Sequence, residues 1–189
     1  MKRFVDDMNS MMDDLVPSVA AQEEITTLVK EFRETFSTFT DPALWVNLIA
    51  EEVYEFIEEV NCQGRSRNSL KEYCDVLYVL EGLLANSTNR TFFEIYESDD
   101  YKKIDRRINH CYDELMNVVR IGHQFFTLKE IMTGFRRVHE SNMSKLDAHG
   151  NVVRREDGKV LKSNLYVKPD MTGIFSNERT LHDLKVYLS

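Results

Sequence analysis

The sequence predicts an all-α protein: a helical bundle followed by a small C-terminal β-hairpin or extended tail. Three observations predict it. The 189 residues include only seven Gly and three Pro, the residues that most disfavour a helix interior. Apolar side chains recur at three- and four-residue spacing from Ile25 to Phe36, from Trp45 to Val60 and from Leu70 to Leu84, the period of one helical face. Hairpin-type turn chemistry is confined to the end of the chain, at Gly150 and Asp157-Gly158.

Residues 1–20 form an acidic, Met-containing lead-in ending near Pro17. Gln22 to about Ser37 forms a first helix, with Ile25, Leu28, Val29, Phe32 and Phe36 on one face. Asp41-Pro42 starts a second, with Asp41 as N-cap and Pro42 at the first helical position. It runs to about Val60 and ends in the polar turn from Asn61 to Asn68. Asn68 or Ser69 caps a third helix that reaches about Ala85. Ser87 to Asp100 is a connection with a short helix around Phe92 to Tyr96, and a longer helix runs from about Tyr101 to Phe126. Thr127 caps the last helix, Leu128 to about Leu146, with Glu130 at the capping-box position. Val152-Val153 and Lys159-Val160-Leu161 flank Asp157-Gly158 as the arms of a hairpin. Ser163 to Ser189 is extended or irregular, apart from a short helix near Arg179 to Leu188. The whole, residues 1–189, reads as one domain.

Composition excludes several classes of function. At 42% hydrophobic and 30% charged the chain is globular rather than disordered. A net charge of −8 argues against binding a nucleic-acid polymer. No apolar stretch reaches membrane-spanning length, and Met1 to Asp14 lacks the pattern of a signal, so no membrane association and a cytoplasmic location are expected. Cys62, Cys74 and Cys111 form no Cys-x-x-Cys and read as reduced thiols, Cys74 as a small core residue. Neither G-x-x-x-x-G-K-[ST] nor G-x-G-x-x-G is present, so any phosphate chemistry falls to a metal and side chains.

The informative departure from helical patterning is acidic. Glu51-Glu52-Val53-Tyr54-Glu55 and Glu72-Tyr73-Cys74-Asp75 set acid-x-x-acid pairs inside two successive apolar runs. At about 100° per residue, Trp45, Leu48, Ile49, Val53, Phe56 and Val60 form the buried face of the second helix. Glu52 falls inside that arc, Glu55 at its edge, and Glu51 further round, stacked on Glu55. The third helix is apolar almost all round, with Glu72 between Val79 and Leu83 and Asp75 beside Tyr78 and Val79. Both pairs point inward, and carboxylates do not cluster in a core without a neutralising cation. An ordinary solvated face accounts for Glu58 and Glu81, and partly for Glu59. All-oxygen donors select Mg²⁺, or Mn²⁺, over zinc or copper. A di-iron bundle needs Glu-x-x-His on two helices, and none of the five histidines has a Glu three residues before it.

EEVYE followed by KEYCD resembles the paired E-E-x-x-E and E-x-x-D motifs of the MazG-like, all-α nucleoside triphosphate pyrophosphohydrolases. VHESNMSKLDAHGNVVRREDGKVLKSNLYVKPD is similar to the tail of the phosphoribosyl-ATP pyrophosphohydrolase-like branch, common in phages and bacteria. The resemblance covers about Gln22 to Ala85 and about Leu128 to Asp170. It implies a bundle of the all-α nucleoside triphosphate pyrophosphatase type that cleaves between the α and β phosphates, releasing the monophosphate and pyrophosphate. Glu52, Glu55, Glu72 and Asp75 would hold Mg²⁺, and Glu51 would orient or deprotonate the attacking water. Lys145 would contact phosphate and Asn142 base, sugar or phosphate, while Lys159, Lys162 and Tyr166 would close over the ligand from the hairpin. A homodimer is implied too, in keeping with a third helix apolar on nearly every side.

Plainer readings stand beside these. Asn142 and Lys145 also suit an ordinary helix terminus with a cation near its C-terminal dipole, and a lysine beside a turn is commonly just solvated. Trp45 could stack on a base, but its place on the apolar stripe favours the core; His139 reads as a surface or packing residue. Three features depart from the family: the insertion over 87–127, Ser163-Asn164-Leu165-Tyr166 in place of Gly-Pro-x-Tyr, and the lead-in. Two rival functions are a non-catalytic helical module that binds a nucleotide or a partner protein, and phosphoribosyl-ATP hydrolysis.

Overall fold

Leu70, Tyr73, Val76, Leu77, Leu80 and Leu83 lie on every side of one helix, and all are buried. That helix therefore sits at the centre of the molecule. The structure, a computed structural model, describes residues 10, 12–13, 16–38, 42–87 and 114–175. In chain order the helices are α1 Val19–Phe36, α2 Pro42–Gln63 and α3 Arg67–Ser87, then α4 over 114–125 and α5 Leu128–Met143. The central helix is α3, packed against α1, α2 and α5. On α4, Gly122 lets the chain approach the Tyr73 ring, which an added Cβ would meet at 2.3 Å. The all-round apolar surface of α3 is thus covered within one chain. Among the described residues no helix is long and apolar enough to cross a membrane.

Local chemistry sets the helix ends. α1 begins three residues ahead of the expected Gln22, because the Ser18 side chain caps it by accepting from the Ala21 amide at 3.4 Å. α2 starts at Pro42 as expected, while its expected cap Asp41 lies outside the described residues. The cap of α3 is neither Asn68 nor Ser69 alone. Ser66 and Ser69 exchange side-chain and amide hydrogen bonds at 2.9 and 2.7 Å, so the helix starts at Arg67. α5 has the full Thr127–Glu130 capping box and stops at Met143, short of Leu146. The expected helices at Phe92 to Tyr96 and Arg179 to Leu188, and the first part of the one from Tyr101, lie outside the described residues.

Two expectations change. The chain turns at Asp157-Gly158, but a lone antiparallel bridge, Arg154 to Val160, forms there, and the described residues contain no strand. The C-terminal hairpin is not supported: backbone bonds from Arg155 to Lys159 and from Leu161 to Val153, both 2.8 Å, close the turn without extending into strands, and further on the tail is held by side chains of the last helix and its cap. Ser141 Oγ donates to the Val167 carbonyl at 2.7 Å, Ser144 Oγ accepts from the Val167 amide at 2.9 Å, and Arg137 donates to the carbonyls of Asp170 and Thr172. The tail is an extended strap along α5. Glu81, expected on a solvated face, is buried. Its neighbour is the buried Arg33 of α1; burial pushes the Glu81 carboxyl up, and the Thr26 side chain and Arg33 offset part of that.

A buried ion pair ties the α2–α3 turn to the start of α5. Arg65, in the α2–α3 turn, meets Glu130 at 2.6 Å with both side chains at most 10% exposed. It also donates to the Phe125 carbonyl at 2.6 Å and stacks 3.9 Å over the Phe175 ring. Removing one partner of such a pair strands the other charge, which costs about 3–5 kcal/mol. Arg65→Ala should lower the urea-unfolding free energy by that amount, and a loss below about 1 kcal/mol would show the pair to be a surface contact.

Candidate functional site

α2 and α3 pack side by side along most of their length, and their apolar faces meet around Val53, Phe56, Tyr73 and Val76. At the edge of that seam Glu52, Glu55 and Glu72 each bring a carboxylate oxygen within 4.8 Å of the others. Three of the four predicted ligands therefore converge. Asp75 is one turn on, with its Oδ2 2.9 Å from Lys71 Nζ, which also holds Glu72 Oε2 at 2.8 Å. Sequence reasoning missed Lys71, although its i, i+4 spacing to Asp75 is a helix pair signal.

The seam carries strained electrostatics. Burial pushes the Glu52 carboxyl up to about 8, Asp75 and Glu55 add to the rise, and Lys71 and Lys159 offset part of it. Asp75 is also raised, first by burial, with Lys71 and Lys145 opposing. Glu72 is raised by burial against the pull of Lys71. For Lys71, burial disfavours the charge but Asp75 and Glu72 outweigh it, so the ammonium is held more firmly than usual. Like charges in a poorly solvated seam keep one another protonated unless a cation intervenes.

A cleft opens beside the carboxylates, lined on one side by Glu52, Asp75, Asn142, Lys145 and Lys159 and on the other by apolar groups including Phe32, Leu48 and Trp45. Asn142 is buried near the end of α5, and the Lys145 amide returns to the Asn142 carbonyl at 3.2 Å. Burial pulls the Lys145 ammonium down to about 8, helped by Lys162 and Lys159 and opposed by Asp75 and Glu52. The strap roofs the cleft through Gly158, Lys159 and Val160. Arg154 pins it by donating to the Phe36 carbonyl at the end of α1. Glu51 stands apart from the converging trio, ion-paired to Lys159 and 3.5 Å from Arg155. Lys162 and Tyr166 are not among the lining residues; the Lys162 ammonium lies 4.9 Å over the Tyr166 ring.

Three further groups complete the wall. Trp45 is buried, as its apolar stripe predicts, yet also lines the cleft, and Thr38 lines it from the end of α1. Among the described residues Trp45 Nε1 and Thr38 Oγ1 have no hydrogen-bond partner, a penalty of about 1–3 kcal/mol each. No sequence signal marked Thr38. Tyr78, also lining the cleft, lies 3.0 Å from His139 Nδ1, and His139 Nε2 lies 3.2 Å from Glu31. An ionised carboxylate only accepts, so Nε2 carries the proton and Nδ1 accepts from the tyrosine hydroxyl. His139 is a packing residue, not a surface one. No family model, curated protein or solved structure matches this chain.

Glu52 makes stability depend on pH. Its folded value, about 8, lies above its ordinary 4.5, so between these the unfolded chain has lost a proton that the folded chain keeps. Stability from this group is full below about pH 4.5 and is lost as pH rises through 8. In EDTA, Glu52→Gln should therefore match wild type near pH 5 and become more stable by a few kcal/mol near pH 8. Parallel urea-unfolding curves across that range would contradict the buried seam.

Proposed function

We propose that the chain is a Mg²⁺-dependent nucleoside triphosphate pyrophosphohydrolase, a bundle of the all-α nucleoside triphosphate pyrophosphatase type. It would cleave the α–β phosphate bond of a (deoxy)nucleotide, giving the monophosphate and pyrophosphate. One observation carries the reading: Glu52, a member of the converging carboxylate trio, lines one cleft together with Asp75 and two lysines, Lys145 and Lys159. Three oxygen-donor side chains suit a hard divalent cation, Mg²⁺ or Mn²⁺. A Glu52 carboxyl raised by burial and then by Asp75 and Glu55 is consistent with a ligand set that a cation would neutralise. Glu52, Glu55 and Glu72 would hold the metal, with Asp75 joining as Lys71 yields it.

When bound, such a cation neutralises polyphosphate charge and acidifies a coordinated water. The chain's own residues do the rest. Lys145 and Lys159 bind phosphate oxygens, and Lys159 thereby gives up Glu51. Glu51, released by Lys159 and left beside Arg155, orients the attacking water and takes its proton. Asn142 fixes the sugar or base, while the strap and the apolar wall exclude bulk water. Lys162 adds a further cation near Lys145, whose ammonium it repels, and Tyr166 holds Lys162. A homodimer and a cytoplasmic location belong to the same proposal and rest on the family resemblance and the composition.

One observation favours a non-catalytic nucleotide-binding regulator. Lys71 and Lys159 already pair with Glu72, Asp75 and Glu51, so part of the acidic set is balanced without a metal. Pyrophosphate release from NTPs, dNTPs and phosphoribosyl-ATP, with Mg²⁺ and with EDTA, separates the readings. The expected result is Mg²⁺-dependent release with the matching monophosphate. Glu52→Ala and Asp75→Ala should each reduce it about a hundredfold or more with helical circular dichroism retained. Normal turnover by either variant would remove these residues from the site, and silence across the panel would favour the regulator.

A further inference from the structure

The chain has one tryptophan, and it sits in the cleft wall at 4% exposure. The benzo edge of Trp45 rests on Gly82 of α3, where an added Cβ would meet Cζ3, Cη2 and Cε3 at 2.1–2.6 Å. The pyrrole N–H is on the edge of the indole opposite Gly82. Thr38 is set just beyond α1 by Ser37, whose left-handed backbone (φ 49) turns the chain, and by its own amide, which donates to the Arg33 carbonyl at 3.1 Å. It is 7% exposed. The surrounding wall is apolar: Phe32, Leu44, Leu48, Val79 and Val160.

An apolar slot with two hydrogen-bonding groups left unanswered among the described residues is built for a ligand rather than for solvent, since a trapped water needs two to four polar partners. The indole N–H only donates, whereas the threonine hydroxyl donates or accepts. The slot and the lysine–carboxylate rim belong to one cleft. We propose that the slot takes a nucleobase by its acceptor edge, with Trp45 Nε1–H donating to a ring carbonyl or ring nitrogen and Thr38 Oγ1 bonding the adjacent group. This rests on the nucleotide reading above and assigns Trp45 and Thr38 as the pair that sets base preference. A slot that hydrogen-bonds its ligand discriminates against one lacking the matching group, because its own polar atoms then stay buried and unpaired.

Trp45 is its own reporter. Its emission would be followed while the full chain is titrated with the deoxynucleosides of the four DNA bases and of uracil, and with inorganic tripolyphosphate. The expected result is that one nucleoside or a small subset changes the emission saturably and tripolyphosphate leaves it nearly unchanged. Calorimetry with the corresponding triphosphate, with Ca²⁺ in place of Mg²⁺, should show Thr38→Val and Trp45→Phe each weakening binding about three- to tenfold. Both should also narrow the differences between bases, with tripolyphosphate affinity unaltered. An emission change equal for tripolyphosphate and nucleosides, or variants that keep the wild-type base preference, would overturn the proposal. Pyrophosphate release keeps the two claims apart. Nucleoside binding without hydrolysis would remove the catalytic reading alone, and hydrolysis with unaltered base preference in both variants would remove this one alone.

Discussion

Like charge held in a poorly solvated seam is the constraint on which the other features of this molecule depend. Glu52, Glu55 and Glu72 meet where α2 and α3 pack, with Asp75 one turn on, and burial raises the carboxyls of Glu52, Glu72 and Asp75. Lys71 offsets part of that repulsion by bridging Glu72 and Asp75 from within α3. The arrangement survives because the helices beneath it are committed elsewhere. α3 is wrapped by α1, α2 and α5, and Tyr73 and Trp45 are seated on Gly122 and Gly82, where a larger residue would displace an aromatic ring. Overpacking such positions costs about 1–3 kcal/mol, so the seam is clamped by contacts that carry no charge.

The strap adds the second half of the geometry. Around Asp157-Gly158 its backbone bonds back on itself, which sets Lys159 and Arg155 facing Glu51, and from Val167 to Thr172 it is held by side chains of α5 and its cap. One turn of irregular chain therefore supplies both the roof of the cleft and the cations at its mouth. A cation that pairs with Glu51 now and with a phosphate later would couple ligand entry to the release of a base. That exchange links the fold of the tail to the proposed chemistry.

Much of this was legible in the residues. The apolar spacing of α2 and α3 placed Glu52 and Glu72 correctly, because helical period alone decides which side chains share a face. Thr127 and Glu130 announced the start of α5 through their own chemistry. Other features depended on partners far along the chain. Glu81 looked solvated until Arg33 of α1 was seen beside it. Thr38 gained its place from a left-handed Ser37 and the strap, neither of which a local pattern predicts. The hairpin failed for a related reason. Asp157-Gly158 does turn the chain, but a turn does not choose whether the tail beyond it pairs with a strand or with α5. Lys71 was overlooked although its spacing to Asp75 was in plain view.

The proposed chemistry requires a divalent cation at the α2–α3 seam. Calorimetric titration of the chain with Mn²⁺ near pH 8, wild type against Glu52→Gln, tests it most directly. Saturable binding to wild type and a loss of about tenfold or more in affinity for the variant are expected. No binding at millimolar Mn²⁺, or equal affinity in both proteins, would mean that Lys71 and burial alone balance these carboxylates and that no metal belongs there.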